Sequence, residues 1–215
     1  IKPHIGSHVK RERTLRKTLE TLNSNQPIQI FLGTRMSLDH KFADTDISKS
    51  LTYIQENDMR VFVHTPYTIN IARDVFNGRR SGEDVREIND VLIEHLQTTA
   101  SFGGSGVVVH VGKQADMTRE EALDNMCLNV MLAAAFATPE CPLLIETDSG
   151  GSLIDDPSDL AQFWLDLDEN IRDNVAICFD TCHVFAAGYD NLDMLLMFRE
   201  KGVPVRLIHF NDSKF

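Results

Sequence analysis

Ala176-Ile177-Cys178-Phe179-Asp180-Thr181-Cys182-His183 is the stretch that decides the fold. Four apolar residues run straight into a carboxylate, and an imidazole follows three positions later. A run that is apolar at every position, rather than at every second one, reads as a strand covered on both faces, as in a parallel sheet. The same form recurs at His4–Val9, Ile28–Leu32, Val61–His64, Gly106–Val111, Leu143–Glu146 and Val205–Phe210. Amphipathic stretches of helical length lie between runs, at Arg13–Leu22, Glu83–Ala100, Glu120–Ala137, Pro157–Leu167 and Leu192–Glu200. Thr118 and Glu121 have the spacing of a capping box, and Pro157 suits the first position of a helix. Strand and helix in alternation predict an α/β fold with a parallel sheet, either an open doubly wound sheet or a (β/α)8 barrel. No G-x-G-x-x-G follows the first run, so nothing points to a dinucleotide. The segment Ala72–Ser81, rich in Asn, Gly and Arg, reads as a surface loop.

The chain has 215 residues, with 21 basic and 32 acidic side chains and a formal net charge of −11. That length fits one domain, residues 1–215, with a sizeable core. Its 42% apolar content excludes disordered and collagen-like chains. No window offers the roughly 18 apolar residues of a membrane span, and no signal-peptide pattern opens the chain. Cys127, Cys141, Cys178 and Cys182 form no C-x-x-C pair and read as reduced thiols, which implies an intracellular setting. The acidic balance argues against non-specific nucleic-acid binding through Lys and Arg. Bound cations would reverse that argument.

Chemistry gathers at the C-terminal ends of the runs. The third ends in His64, the fourth reaches His110, and the fifth ends in Glu146. The sixth ends in Asp180 with His183 beyond it, and the seventh reaches His209. In parallel α/β folds ligands bind at this edge. One histidine at a strand end is ordinarily a hydrogen-bonded structural residue, but repetition at successive ends argues against coincidence. His, Asp and Glu without thiolate suit Zn²⁺ or Mn²⁺ in an open catalytic site. Six ligands exceed what one ion needs and suggest at least two, bridged by a carboxylate. Such pairs clamp both oxygens of a phosphoryl displacement. Cys178 and Cys182 read as packing residues rather than ligands, and Met126–Met131 as a core-facing stripe. Asp155-Asp156 and Asp166–Glu169 read as helix N-terminal or solvated carboxylates.

Several blocks then stand in order: Gly6-Ser7-His8-Val9, His64-Thr65-Pro66-Tyr67, Val109-His110-Val111-Gly112, Leu144-Ile145-Glu146-Thr147, Phe179-Asp180-Thr181-Cys182-His183 and His209-Phe210-Asn211-Asp212-Ser213-Lys214. Together they resemble the endonuclease IV family, from about residue 4 onward. The resemblance implies a TIM barrel of the xylose-isomerase-like type. A complete barrel usually needs about 250 residues, so the barrel is expected to lack its last strand–helix unit, with open edges that invite association. A complete barrel would be a monomer.

The resemblance further implies up to three Zn²⁺ ions, with Mn²⁺ as a substitute, and hydrolysis of double-stranded DNA 5′ to abasic sites. By position His64, His110 and Glu146 would hold one ion. Glu146, as the bridging and catalytic carboxylate, would share a second with Asp180 and His209, and His183 would serve a third. Ligands that the family carries beyond the His209 block are not in this sequence. Where the family usually has Glu-Asn-Thr-Ala-Gly, this chain has Glu146-Thr147-Asp148-Ser149-Gly150. Arg35 and Tyr67 would contact DNA, and Lys214 a phosphate. Two other readings stand beside the nuclease: a sugar isomerase or epimerase on the same barrel, and a truncated homologue that binds DNA without cutting it.

Overall fold

The computed structural model describes residues 4–21, 26–38, 40–74 and 88–212. In chain order its elements are β1 (Ser7–His8), α1 (Leu15–Leu19), β2 (Ile28–Phe31), α2 (Asp44–Glu56), β3 (Val61–His64), α3 (Ile88–Ser101), β4 (Gly106–His110), α4 (Arg119–Ala134), β5 (Leu143–Glu146), α5 (Pro157–Asp166), α6 (Glu169–Arg172), β6 (Val175–Asp180), α7 (Thr181–Ala186), α8 (Asn191–Glu200) and β7 (Val205–His209). Every strand pairs in parallel with the next, in the order β1 to β7 without a reversal. A doubly wound sheet would change direction at a switch point. The unbroken order is that of a barrel, and the sheet curls far enough for Gln29 on β2 to touch His209 on β7 at 2.8 Å.

Strand periodicity of two sorts each run into an outer and an inner face. Outward residues such as Val61, Val63, Val107, Val109, Leu143, Ile145, Ile177 and Phe179 join the main core beneath the helices. Inward residues Phe62, Val108, Leu144, Ala176 and Cys178, with Leu207 against them, form a second, smaller apolar cluster. Two residues further along each strand stand His64, His110, Glu146, Asp180 and His209. The candidate site is therefore the next layer above an apolar floor, and its depth follows from counting along strands.

The helices follow local chemistry. Thr118 and Glu121 complete the expected capping box of α4. Asp156 caps α5 ahead of Pro157, Asp168 caps α6, and Asp190 caps α8. These carboxylates sit where a helix N-terminus favours negative charge. Helix α2 is not among the expected helices. Its Asp46 accepts hydrogen bonds from the backbone of Leu15 (2.8 Å) and Arg16 (3.1 Å), so one helix caps another. Residues 83–87 of the expected helix Glu83–Ala100, Leu22, and residues 75–81 of the expected loop lie outside the described residues.

The edge strands depart from the two-face burial expected. Strand β1 has two residues, both exposed, where a run of six was expected. Gly6 precedes it because a Cβ there would fall 1.7 Å from the carbonyl oxygen of Pro27. Strand β7 alternates, with Arg206 and Ile208 facing outward and exposed. Among the described residues no helix is long and apolar enough to cross a membrane.

One clamp fixes the loop after β3. Asn70 accepts from the backbone of Lys113 (2.9 Å) and Ala72 (3.1 Å), and donates to the Lys113 carbonyl (2.9 Å). Gly112 lies beside it with φ +83°, and a Cβ there would meet Asn70 Oδ1 at 2.3 Å. Gly112→Ala is expected to cost about 1–3 kcal/mol from the left-handed backbone alone, read as a lower urea midpoint. An unchanged midpoint would show that the clamp yields freely.

Candidate metal centre

Glu146 is the hub. Its side chain ends β5, is almost fully buried, and is approached by imidazoles from four elements. His64 Nε2 lies 3.0 Å from Oε2, and His110 Nε2 lies 3.5 Å from the same oxygen. On the other oxygen, Oε1, His209 Nδ1 stands at 2.9 Å and His183 Nδ1 at 3.7 Å. Asp180 joins through Oδ2, 3.5 Å from His209 Nδ1. All six side chains singled out from the sequence as ligands thus meet at one rim.

Neighbours fix how each ring is turned. His64 donates Nδ1–H to the carbonyl of Thr65 (2.7 Å), which aims Nε2 at Glu146. His209 donates Nε2–H to Gln29 Oε1 (2.8 Å), which aims Nδ1 there. Gln29 in turn donates to Nδ1 of His8 (3.2 Å), so His8 borders the site although it is not among the expected ligands. His183 Nδ1 donates to the carbonyl of Thr147 (2.8 Å). Asp180 accepts from the backbone of Cys182 (2.8 Å) and His183 (3.0 Å) through Oδ1, capping α7. Its Oδ2 accepts from the amide of Asn211 (2.6 Å). Thr147 Oγ1 accepts from the backbone N–H of Asp180 (2.8 Å) and ties β5 to β6.

The protonation pattern reflects so many donors on one carboxylate. Burial disfavours the Glu146 carboxylate, but hydrogen bonds from His209 and His64 outweigh it and hold its pKa well below the usual range. Burial likewise opposes charge on His209. Hydrogen bonds to Asp180, Cys178 and Glu146 prevail and push it up to about 12. His110 is also raised: burial acts downward, and the Asp148 hydrogen bond with the Glu146 charge acts upward. His8 is lowered, first by burial and then by the charges of His64 and His209.

Does this donor set fit a divalent metal? Among the described residues the ion pairs of Glu146 are all with imidazoles, with no Lys or Arg among them. His64, His110 and Glu146 offer one ligand atom each within 4.8 Å of one another, and so do Glu146, Asp180 and His183. Imidazole nitrogens and carboxylate oxygens converging without a thiolate are the donors a divalent cation takes, so the residues fit. His209 and His110, raised above their ordinary value, must lose protons when an ion binds. Affinity for a divalent metal is therefore expected to rise with pH across the neutral range, by up to about tenfold per pH unit for each proton displaced. Calorimetry in buffers of different ionisation enthalpy measures that release. Binding independent of pH would contradict it.

Cys178 lies in the apolar floor, and burial pushes its thiol up to about 12. Its sulfur is near Glu146 and His209, but a thiol held protonated is a packing group there. All four cysteines are free.

Arg35 and Tyr67 are brought together. The backbone N–H of Tyr67 donates to the Arg35 carbonyl at 2.9 Å, joining the loops after β2 and β3. Tyr67 is 54% exposed, and its ring meets His64 at 5.4 Å and His110 at 5.7 Å edge-on. It therefore stands at the mouth of the histidine–carboxylate cluster. Met36, next to Arg35 in the loop after β2, is an exposed apolar side chain. Lys214 lies outside the described residues.

The chain is a parallel barrel in which imidazoles and carboxylates able to hold a metal converge at the C-terminal rim. A profile of the xylose isomerase-like TIM barrel family matches residues 28–215, and the chain belongs to that family. Its relatives include a protein of Acanthamoeba polyphaga mimivirus named as a putative endonuclease 4, 28% identical over 86% of this chain and 63% of its own length. Another, from Carboxydothermus hydrogenoformans, is named as a probable endonuclease 4 and is 29% identical over 98% of this chain and 76% of its own. The chain thus spans under two thirds of the first and about three quarters of the second. The crystal structure of endonuclease IV from Thermus thermophilus superposes with a TM-score of 0.74, covering 98% of this chain and 77% of that one. At 23% identity it shows the shared fold. The relatives bear out the resemblance to endonuclease IV seen in the sequence.

Proposed function

We propose that this protein is a divalent-metal-dependent DNA repair endonuclease that hydrolyses the phosphodiester 5′ to abasic sites. The observation that carries the reading is the convergence of four imidazoles and Asp180 on the buried Glu146. His64, His110 and Glu146 would hold one ion, Glu146, Asp180 and His209 a second, and His183 would serve a third. Zinc is the ion that best suits this set. Ions bound there would supply activation of water and relief of charge on the phosphate oxygens.

The chain's own residues supply the rest. Asn211 and the α7 backbone hold Asp180, while Gln29 and Thr65 hold His209 and His64, so the ligands are preset. Phe31, whose ring centroid lies 5.3 Å from that of His64 and 5.6 Å from that of Tyr67, packs beside both rings at the mouth. Tyr67 and Arg35 at the mouth would meet the strand where a base is missing. A missing base lowers the few kcal/mol needed to take a nucleotide out of the stack. Tyr67 would fill the vacated space. Tyr67→Ala is expected to weaken binding to an abasic duplex about tenfold, the scale of one lost stacking contact, with little change for undamaged DNA. Fluorescence anisotropy on both duplexes reads this. Equal affinity of parent and variant for the abasic duplex would remove Tyr67 from the interface.

The function is tested with a 5′-labelled duplex carrying one tetrahydrofuran abasic analogue. Expected is a cut 5′ to the analogue that leaves a 3′-hydroxyl a polymerase can extend, abolished by chelator and restored by Zn²⁺ or Mn²⁺. A zinc-loaded chain that leaves the duplex intact and interconverts ketoses would instead support a sugar isomerase. One that binds the duplex and cuts nothing would support a binding role.

A further inference from the structure

We propose that Asp148 is a positioning residue of the metal centre, fixing the tautomer and orientation of His110 so that His110 offers Nε2 to the ion shared with His64 and Glu146. The inference rests on reading that cluster as a metal centre. It concerns a position where this chain departs from the family's usual run after the fifth strand. Asp148 Oδ2 lies 3.1 Å from His110 Nδ1. On the opposite edge of the same ring, Nε2 lies 3.5 Å from Glu146 Oε2. An imidazole that gives its Nδ1–H to a carboxylate keeps the Nε2 lone pair for a metal, and the carboxylate raises the basicity of that nitrogen.

The carboxylate is itself held. Its Oδ1 accepts from the backbone of Ser149 (2.8 Å), and Ser152 Oγ donates to the Ser149 carbonyl (3.1 Å), closing the turn. Upstream, the Thr147 backbone N–H donates to the carbonyl of Cys178 at 3.0 Å, so the loop leaves β5 in register with β6. His110, Asp148 and His183 also lie close enough to share an ion among themselves. An ion held there through His110 Nδ1 would leave Nε2 carrying the proton toward Glu146, 3.5 Å away, rather than a lone pair for the ion shared with it. Such an ion would also lie beside a His183 Nδ1 that already donates to Thr147 and stands 4.0 Å from Asp148 Oδ1. The geometry therefore favours orientation over ligation.

The test compares the full chain with Asp148→Ala and Asp148→Asn by zinc calorimetry, with Co²⁺ absorption as a spectroscopic check. Both variants are expected to bind as many ions as the parent. Asp148→Ala should bind the His64–His110–Glu146 ion about 10- to 100-fold more weakly. Asp148→Asn, which retains an oxygen to accept the Nδ1 proton, should recover most of that loss. Imidazole ¹⁵N spectra of the zinc-loaded parent should show His110 protonated at Nδ1 and bound at Nε2, a readout that does not depend on either variant folding. Unchanged affinity in Asp148→Ala, or His110 bound through Nδ1, overturns the assignment alone. Loss of one ion in both variants makes Asp148 a ligand and also overturns it. A parent chain that binds no zinc overturns the metal centre along with it.

Discussion

Glu146→Gln is expected to abolish zinc binding at the shared sites and to lower abasic-site cleavage by on the order of a thousandfold or more, since removing even one charge-stabilising group costs about 10²–10³. The reason lies in the geometry. Among the described residues, Glu146 is the one carboxylate within 4 Å of His64, His110, His183 and His209 together. A carboxylate can be shared between ions through its two oxygens, whereas a neutral amide offers one oxygen and a pair of N–H donors aimed at imidazoles. The fold should survive the substitution, because Gln nearly matches Glu in size and its oxygen still accepts hydrogen bonds. Metal analysis together with the cleavage assay checks this. A Glu146→Gln protein that keeps its full zinc complement would contradict the assignment of Glu146 as the hub.

Phe179→Ala carries the largest expected cost in stability, about 3–5 kcal/mol for a buried aromatic truncated to a methyl. Phe179 is fully buried on the outer face of β6, and its ring meets that of Phe198 on α8 at 6.1 Å and 90°. It thereby anchors α8 to the sheet one residue before Asp180. The loss should appear as a lower urea midpoint and, by loosening the end of β6, as weaker metal binding. A cost below about 1 kcal/mol would show that the site collapses around the gap, since the penalty depends on how far the cavity can close.

Much of this was legible in the sequence because strand ends are a countable position. Apolar runs marked β2 to β6, and the residues terminating them were His64, Glu146 and Asp180, with His110 and His209 reached in the same way. Periodicity alone left an open sheet and a barrel undecided; the resemblance implied the barrel, and the strand order bears it out. Helix α2 escaped because Ile47, Leu51 and Ile54 have helical spacing but sit among Ser, Thr, Lys and Asp, and only Ser50 and Ile54 are fully buried. Gln29 carried a signal that went unused: one polar residue at an inward position of an apolar strand. Asp148 carried none by spacing, since its approach to His110 depends on how the loop after β5 turns. Strand β1 was legible as the run His4–Val9 but not in its length, because only Ser7 and His8 of it pair with β2.

The most direct measurement is anomalous diffraction at the zinc edge from crystals of the zinc-soaked protein. Density is expected enclosed by His64, His110 and Glu146, with further density between Glu146, Asp180 and His209. An empty rim, or these side chains turned away from one another around no ion, would contradict a metal centre there.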